Sequence, residues 1–394
     1  MPSSCDFSSK EWNLRMVHLQ QKSADISSME QLAQVSTEAE LTRSYGHHAL
    51  AFFGLAPENL HFLAPGGEGL VSYRLVSNVA VVLGDPICTY EARGRVVRSF
   101  LDFCTFHGWQ VAFYQASAEC LSAYRTLKLR AFKMGEEAIL HPQTFTLNGS
   151  TMANVRVSAR RAERDEVTIQ WYEGVPPGAV LQQLEHISDA WLERRTGQHA
   201  LERGFSMGRL GELTATAERA DWVAGIALPS NGPYKAAPRV VTGVATTRLG
   251  TACAFVTFTP LYGSAPTGVA AAGEPPEMRG WGWSLDLMRR IPDAAPGVME
   301  LLLVHAIERF RSGGAQRVSL GLVAMADSRR EMAPVERQLV NVVTDRLHLL
   351  KSRQTLFNFK QKFHPCWENC YVVTGATLAL PKIALAVLRL RHSS

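Results

Sequence analysis

The stretch G-L-V-S-Y-R-L-V-S-N-V-A-V-V-L, residues 69–83, predicts the first two strands of the chain's α+β arrangement. It holds two short apolar runs on either side of Ser77-Asn78, which is the pattern of a β-hairpin with a tight turn. Residues with helical spacing follow, and then a third strand-like run. The predicted elements are strand, strand, helix and strand, over Val71–Leu75, Val79–Leu83, Val96–Cys104 and Val111–Gln115. This order predicts an α+β unit.

The second half of the chain repeats the same order of elements. The corresponding strands, helix and strand are predicted over Val240–Arg248, Ala252–Thr259, Met299–Phe310 and Val318–Leu322. In both copies glycine follows the helix, at Gly108 and at Gly313-Gly314, as helix C-termini favour. The lengths and the order fit an α+β fold of tandem GNAT-like (acetyltransferase-fold) domains joined by a helix.

The predicted organisation has five parts. They are an N-terminal extension (1–27), a first GNAT-like domain (28–154), a basic linker helix (155–170), a second GNAT-like domain that carries the active site (171–375) and a basic amphipathic tail (376–394). Gly/Pro/Ala-rich stretches at Pro229–Pro238 and Gly263–Pro276 predict long surface loops in the second domain.

Composition indicates a core-rich globular protein of a reducing compartment. The 394 residues are 46% hydrophobic and 20% charged, with a net charge of +5. Seven cysteines, at positions 5, 88, 104, 120, 253, 366 and 370, are scattered and odd in number, which favours free thiols over a disulfide framework. With no signal peptide and no apolar run long enough to span a bilayer, we expect a cytoplasmic protein.

Two runs place charges among apolar residues. W-S-L-D-L-M-R-R (283–290) contains Asp286 and Arg289, and F-K-Q-K-F-H-P-C-W-E-N-C-Y (359–371) contains Lys360 and Lys362. A partly buried charge needs a partner or a function. One carboxylate, one guanidinium and two ammoniums suit a site that handles an amino group, a developing oxyanion and phosphates. A structural ion pair at a strand end is the alternative.

Other motifs are weaker. His47-His48 lacks a third metal ligand at a suitable spacing, and H-x-C-x₃-C (364–370) is not a zinc spacing, so no metal is expected. Coenzyme A pyrophosphate normally binds backbone N–H groups of a glycine-rich turn at a helix N-terminus. The corresponding turns here, residues 84–93 and 289–298, are interrupted by proline and poor in glycine. Proline removes N–H donors, so coenzyme A is disfavoured as the donor.

Two basic segments suggest binding surfaces. Arg156, Arg160 and Arg164 recur every four residues, on one helical face, which predicts an RNA-backbone contact or, alternatively, a solvated face. From Pro381 to Ser394 the chain predicts a basic amphipathic helix. This tail is too short to span a membrane; it either lies in the membrane interface or docks on the core.

The chain resembles the C-terminal catalytic domain of bacterial phosphatidylglycerol lysyl- and alanyltransferases (multiple peptide resistance factor), and the related fungal enzymes that aminoacylate ergosterol. The matching stretches are V-V-L-G-D-P (81–86), A-F-Y-Q (112–115), M-G-E-E-A (134–138), F-S-M-G-R (205–209), L-D-L-M-R (285–289), G-V-M-E-L-L (297–302), S-L-G (319–321) and F-K-Q-K-F-H-P-C-W-E (359–368). The membrane module that usually precedes the bacterial domain is not found, and the loop before Trp283 is longer. These departures favour a free-standing member and leave the acceptor lipid open.

The resemblance implies transfer of an aminoacyl group from aminoacyl-tRNA to a lipid hydroxyl, with no cofactor. Asp286 is assigned to the α-ammonium group or to the nucleophile, and Arg289 to the oxyanion or a phosphate. Lys360, with Lys362, is assigned to a phosphate or the acceptor head group, and Ser206 to a hydrogen bond. Further substrate contacts are expected from Arg209, Trp283 and Arg290. A coenzyme-A-dependent N-acyltransferase and a non-catalytic tRNA- or lipid-binding module remain the alternatives.

Overall fold

A computed structural model describes residues 26–196, 205–225, 239–262, 282–324, 350–376 and 379–392. The N-terminal extension up to residue 25 and both predicted surface loops lie outside these ranges. The helices are α1 (Ile26–Tyr45), α2 (Ala51–Gly54), α3 (Arg93–Phe106), α4 (Leu121–Thr126), α5 (Ala153–Arg164), α6 (Gly178–Thr196), α7 (Leu213–Gly225), α8 (Val298–Ser312), α9 (Leu350–Gln361) and α10 (Leu380–His392). The strands are β1 (Leu60–Leu63), β2 (Gly69–Val76), β3 (Val79–Leu83), β4 (Ile87–Cys88), β5 (Gln110–Ser117), β6 (Arg130–Leu140), β7 (Thr168–Glu173), β8 (Val241–Thr246), β9 (Ala252–Leu261), β10 (Gly282–Arg290), β11 (Arg317–Ala324) and β12 (Cys366–Thr374).

The predicted repeat is present in both halves. β2, β3, α3 and β5 form the first copy, and β8, β9, α8 and β11 form the second. Ser77 and Asn78 both have positive φ, 51° and 59°, as a tight hairpin turn requires. Gly108 and Gly314 adopt the left-handed conformation after their helices. The α+β fold with a tandem arrangement is therefore confirmed.

All these strands belong to one sheet. Its order is β1-β2-β3-β5-β12-β6-β11-β10-β9-β8-β7, and β4 pairs with β2. The pairs β3–β5 and β10–β11 are parallel. β12 comes last among the strands in the chain, yet it lies between β5 and β6 of the first half. The sheet therefore runs across the predicted boundary near residue 155, and the domain limits stay a prediction.

The second half is built around α8, whose apolar residues are almost all buried against β8, β9 and β10. The linker helix α5 packs on α8 through Val155, Ala159 and Ala162. At this contact Gly297 has φ +90°, and a Cβ there would lie 1.9 Å from the Ser158 carbonyl oxygen. Glycine at 297 therefore lets the two helices approach.

The C-terminal helix α10 docks on the core. It packs against β2 and β3, and Ile383, Ala386 and Leu390 are buried. Of the two alternatives for the tail, the structure shows docking on the core for this apolar face, and a membrane contact of the tail stays a prediction for its outer face. Its outer face retains Lys382, Leu385 and Arg389.

Candidate active site

The parallel strands β10 and β11 separate in the middle of the sheet. Gly282–Ser284 pairs with Arg317–Ser319, and the pairing ends there although β10 continues to Arg290 and β11 to Ala324. Each strand also has a register shift against its outer neighbour just past this point, in β10 before Met288 and in β11 before Leu322. A bulge bends its strand, so the two bulges open a gap between β10 and β11.

The bulge in β10 changes which way its side chains face. Leu285 and Met288 pack with the core under α8, whereas Leu287 packs with Leu184 and Ile187 of α6. In a regular strand residues three apart face opposite sides. The extra residue of the bulge instead brings Asp286 and Arg289 to the same face, the side of the sheet that α6 covers.

Asp286 is half-buried beside the segment that precedes α7. Its Oδ1 accepts a hydrogen bond of 2.7 Å from the backbone N–H of Gly208. A Cβ at position 208 would lie 2.3 Å from Asp286 Oδ2, so only glycine leaves room for the carboxylate. Ser206 lies two residues before this donor and is half-buried. Arg209, the next residue, donates to Glu212 Oε1 at 3.2 Å.

Arg289 is buried against α6. Its guanidinium donates to Ser188 Oγ and lies over the ring of Trp191, 5.2 Å from the ring centroid. Only 6% of the residue is exposed. A hydroxyl acceptor and an aromatic face together hold a planar guanidinium in one orientation. The Arg289 charge is therefore fixed on the part of β10 that no longer pairs with β11.

Lys360 approaches the gap from α9. Its Nζ donates to the carbonyl oxygens of Gly321 at 2.9 Å and Leu322 at 3.3 Å, both in the bulged part of β11. The Cβ position of Gly321 is 3.6 Å from this Nζ and 3.7 Å from the carbonyl oxygen of Leu285, so the lysine lies at the separation of the two strands. Burial lowers the pKa of Lys360 to about 7, against an opposing effect of Glu137.

Hydrogen bonds join β6 to the same bulge. Ser319 Oγ donates to Glu137 Oε1 and accepts from the backbone N–H of Gly321 at 2.9 Å. Gly321 has φ +82°, which places it in the left-handed region. The polar chain Glu137–Ser319–Gly321 therefore ends at the carbonyl that accepts from Lys360.

Three of the predicted substrate contacts, Lys362, Trp283 and Arg290, lie elsewhere. Lys362 follows α9 and donates to Glu300 Oε1 at 2.9 Å, at the first turn of α8. Trp283 is a core residue that stacks on Phe310 with 4.2 Å between ring centroids.

Arg290 is exposed and donates to the Pro292 carbonyl oxygen. Arg156 donates to the carbonyl oxygens of Leu147 and Gly149 and so anchors the loop before α5. Side-chain direction explains these differences, because Lys362, Trp283 and Arg290 point away from the gap. Arg160 and Arg164 remain exposed on α5.

The two histidines that suggested a metal are largely, though not fully, buried. The pKa of His47 is lowered to about 3 by burial and by the neighbouring His48, and burial also lowers the pKa of His48. His48 Nε2 contacts the Asp85 carbonyl oxygen at 3.1 Å. Within the described ranges no group of three or more His, Cys, Asp or Glu side chains could hold a metal ion. In that part of the chain no helix is long and apolar enough to cross a membrane either.

Sequence reasoning missed Glu137, Ser319, Gly208 and Ser188. The first three lie in the quoted stretches M-G-E-E-A, S-L-G and F-S-M-G-R. A polar residue or a glycine inside a matching motif is the signal that could have identified them. Ser188 lies in no such stretch. Its role depends on how α6 packs on β10, which no local pattern indicates.

The fold and the site together define a class of protein. It is a doubled acetyltransferase-type unit with a charged side chain at the gap between the parallel strands of its second copy. Residues 39–374 match the family described as phosphatidylglycerol lysyltransferase, C-terminal. The chain belongs to this family, which confirms the resemblance found in its motifs.

Relatives and solved structures agree with this assignment. The chain is 27% identical over 353 residues to the lysylphosphatidylglycerol biosynthesis bifunctional protein LysX of Mycobacterium sp. (strain JLS), covering 88% of this chain and 29% of that protein. It thus spans less than a third of this relative. L-PGS from Bacillus licheniformis has the same fold, with a TM-score of 0.69, 24% identity and coverage of 90% of this chain and 95% of that one. So does the C-terminal domain of a putative lysylphosphatidylglycerol synthetase from Agrobacterium fabrum (TM-score 0.69, 23% identity, coverage 91% and 97%).

Proposed function

We propose that the chain transfers an aminoacyl group from aminoacyl-tRNA to a hydroxyl of phosphatidylglycerol in a membrane. The observation that carries this proposal is the position of three charged residues around the separation of β10 and β11: Asp286 and Arg289 lie on the part of β10 past the last pair with β11, and Lys360 lies at the separation itself. An aminoacyl ester carries an ammonium group, a carbonyl that becomes an oxyanion, and a nearby phosphate. The carboxylate matches the ammonium group, the guanidinium matches the oxyanion or the phosphate, and the lysine amine can accept the proton of the attacking hydroxyl. Membership of the family supports the same reaction.

Asp286 binds the α-ammonium group of the aminoacyl donor in this proposal. The Gly208 N–H fixes one carboxylate oxygen at 2.7 Å, which holds the group in one orientation. A hydrogen bond to a charged group contributes about 1.5–3 kcal/mol. Arg289, held by Ser188 and Trp191, supplies a fixed positive charge for the oxyanion or a phosphate.

Lys360 is the proton acceptor that the sequence left open. Its pKa of about 7 means that a large fraction is neutral amine near physiological pH. A base works best when its pKa lies near the working pH. The amine takes the proton from the lipid hydroxyl as the oxygen attacks the ester carbonyl, and the resulting ammonium returns it to the departing 3′-oxygen of the tRNA ribose. No covalent intermediate is required, because the ester is already activated.

Two features support aminoacyl-tRNA as the donor of the aminoacyl group. Arg160 and Arg164 are exposed on one face of α5 and can contact phosphates. The turn before α8, at the position where acetyltransferases bind coenzyme A, contains Pro292 and Pro296, which have no N–H to donate. For the membrane, the outer face of α10 offers Lys382, Leu385 and Arg389, a weak basic contact that favours anionic lipid.

The proposal is tested with purified protein, phosphatidylglycerol vesicles and total tRNA charged with labelled amino acids. Labelled lipid should form, RNase treatment should abolish it, and acetyl-CoA should not replace the charged tRNA. Vesicles with ergosterol in place of phosphatidylglycerol test the sterol acceptor. Asp286→Asn and Lys360→Met should each lower turnover about 100-fold, equivalent to about 2.7 kcal/mol. Product that survives complete tRNA digestion, or near-normal turnover in both variants, would refute the proposal.

A further inference from the structure

We propose that Glu137 is a positioning residue of this site: through Ser319 it fixes the Gly321 carbonyl that binds Lys360, and its negative charge acts on that lysine. This inference rests on the proposed function only for the role of Lys360 in turnover. In the proposed mechanism Glu137 contacts no reacting atom. It lies in the middle of β6, where its register partners are Leu322 of β11 and Glu368 of β12.

The hydrogen bonds of the β11 bulge connect Glu137 to Lys360. The bulge removes regular pairing from residues 320–321, so the Gly321 carbonyl needs another support. That support is the Ser319 hydroxyl, which accepts from the Gly321 N–H at 2.9 Å and donates to Glu137. Because the Lys360 Nζ lies 2.9 Å from the Gly321 oxygen, moving Glu137 moves the acceptor that orients the amine.

The charge of Glu137 also reaches Lys360. Glu137 precedes the buried residues Ala138, Ile139 and Leu140, and its carboxylate bonds to a hydroxyl. Within the described ranges no lysine or arginine nitrogen lies at ion-pair distance from it. Arg317, which binds Glu368, interacts with Glu137 without lying at ion-pair distance, so the charge of Glu137 is only partly offset. The remaining negative charge opposes the effect of burial on Lys360.

The other charged groups around Lys360 have partners of their own. Glu368, beside Glu137 in the sheet, binds Arg317 with both oxygens, at 3.1 and 2.6 Å. Asp286, on β10, accepts from Gly208. His48 is close enough to Glu137 to be affected by it, but burial lowers the pKa of His48 and keeps it neutral. Glu137 is thus the carboxylate that acts on Lys360.

The direction in which the pKa of Lys360 should change in a Glu137 variant follows from these charges. Burial lowers the pKa of Lys360 and Glu137 raises it, to a net value of about 7. Replacing Glu137 by a neutral residue lets burial act unopposed, so the titration midpoint of Lys360 falls. Since the neutral amine is the active form, the acid limb of the kcat/KM profile should move to lower pH as well.

Glu137→Gln is the variant that isolates the charge, because a glutamine oxygen still accepts from Ser319. The matched control is Glu136→Gln, which removes the same charge one residue away, where Glu136 pairs with Lys133 at 2.7 Å. With lysine side chains labelled for NMR, and the Lys360 signal assigned by its loss in Lys360→Met, Glu137→Gln should lower the midpoint by about one unit. Glu136→Gln should keep it unchanged. Equal midpoints in the wild type and both glutamine variants would overturn the proposal.

Ser319→Ala is the complementary variant, because it keeps the Glu137 charge and removes the hydroxyl link. Turnover (kcat) should fall about tenfold, since the Gly321 carbonyl loses its support, while KM for the charged tRNA changes little. Wild-type kcat in Ser319→Ala would overturn the positioning role. The NMR titration needs no turnover, so a protein that lacks transferase activity but shows the midpoint shift would refute the proposed function and support the effect of Glu137 on Lys360.

Discussion

Gly208→Ala is the perturbation that tests the site most directly. Gly208 contributes a backbone N–H and no side chain, and this N–H holds Asp286 Oδ1 at 2.7 Å. Alanine keeps the N–H and adds a single methyl group. That methyl would lie 2.3 Å from Asp286 Oδ2 and 3.1 Å from its Cγ. The variant therefore changes the position of one carboxylate and leaves its charge intact.

The magnitude follows from the contact distance. An ordinary van der Waals contact begins near 3.4 Å, so the carboxylate must move by about 1 Å. A misplacement of about 1 Å at a reacting site can cost about 100-fold in rate. We expect kcat/KM for aminoacyl-tRNA to fall about 100-fold, equivalent to about 2.7 kcal/mol. The free energy of unfolding should change by less than about 1 kcal/mol, because the carboxylate can turn toward solvent.

The assay is lipid aminoacylation with charged tRNA and phosphatidylglycerol vesicles, measured in parallel with urea unfolding. Gly211→Ala is the matched control, since it lies three residues away and a Cβ there meets nothing within 4 Å. In an Asp286→Asn background Gly208→Ala should cause less than a twofold further loss, because both changes act on the same group. Wild-type kcat/KM in Gly208→Ala, or additive losses in the double variant, would refute the assignment of Asp286.

Three further predictions concern other parts of the molecule. Replacing Arg160 and Arg164 by alanine should weaken the salt dependence of tRNA binding. A plot of log affinity against log salt concentration should become shallower by about 0.7–0.9 for each phosphate that the protein no longer binds. An unchanged slope would mean that these arginines are only solvated. Lys362→Ala should keep turnover within about twofold, whereas Lys360→Met should abolish most turnover. Lys362→Ala should also lower the free energy of unfolding by about 1–3 kcal/mol in urea titrations, because the buried Glu300 carboxylate loses its ion-pair partner. Leu390→Ala should lower the free energy of unfolding by about 2–5 kcal/mol in urea titrations, because that side chain is buried under α10; a decrease below about 0.5 kcal/mol would contradict the docked helix.

The sequence by itself identified the elements and the family. Alternation and turn residues over 69–83 define a hairpin whose turn residues do have positive φ. Apolar residues flank Asp286 and Lys360 in the sequence, and this pattern correctly indicated that both charged side chains are at least partly buried. These are local properties, because propensity, periodicity and turn chemistry depend on neighbours in the chain. The matching motifs also identified the family from residue types and order alone.

The tertiary structure decided which of those charges share a site. Lys360 and Lys362 look equivalent in sequence, yet two residues along a helical turn are about 200° apart, so one binds the Gly321 carbonyl and the other Glu300. Asp286 and Arg289 share a face only because a bulge inserts one residue in β10, and that bulge is defined by register against β9. The insertion of β12 between β5 and β6 depends on pairing across more than 200 residues. Register and strand insertion are long-range properties that local sequence patterns do not encode, and they are what bring Glu137, Ser319 and Lys360 together.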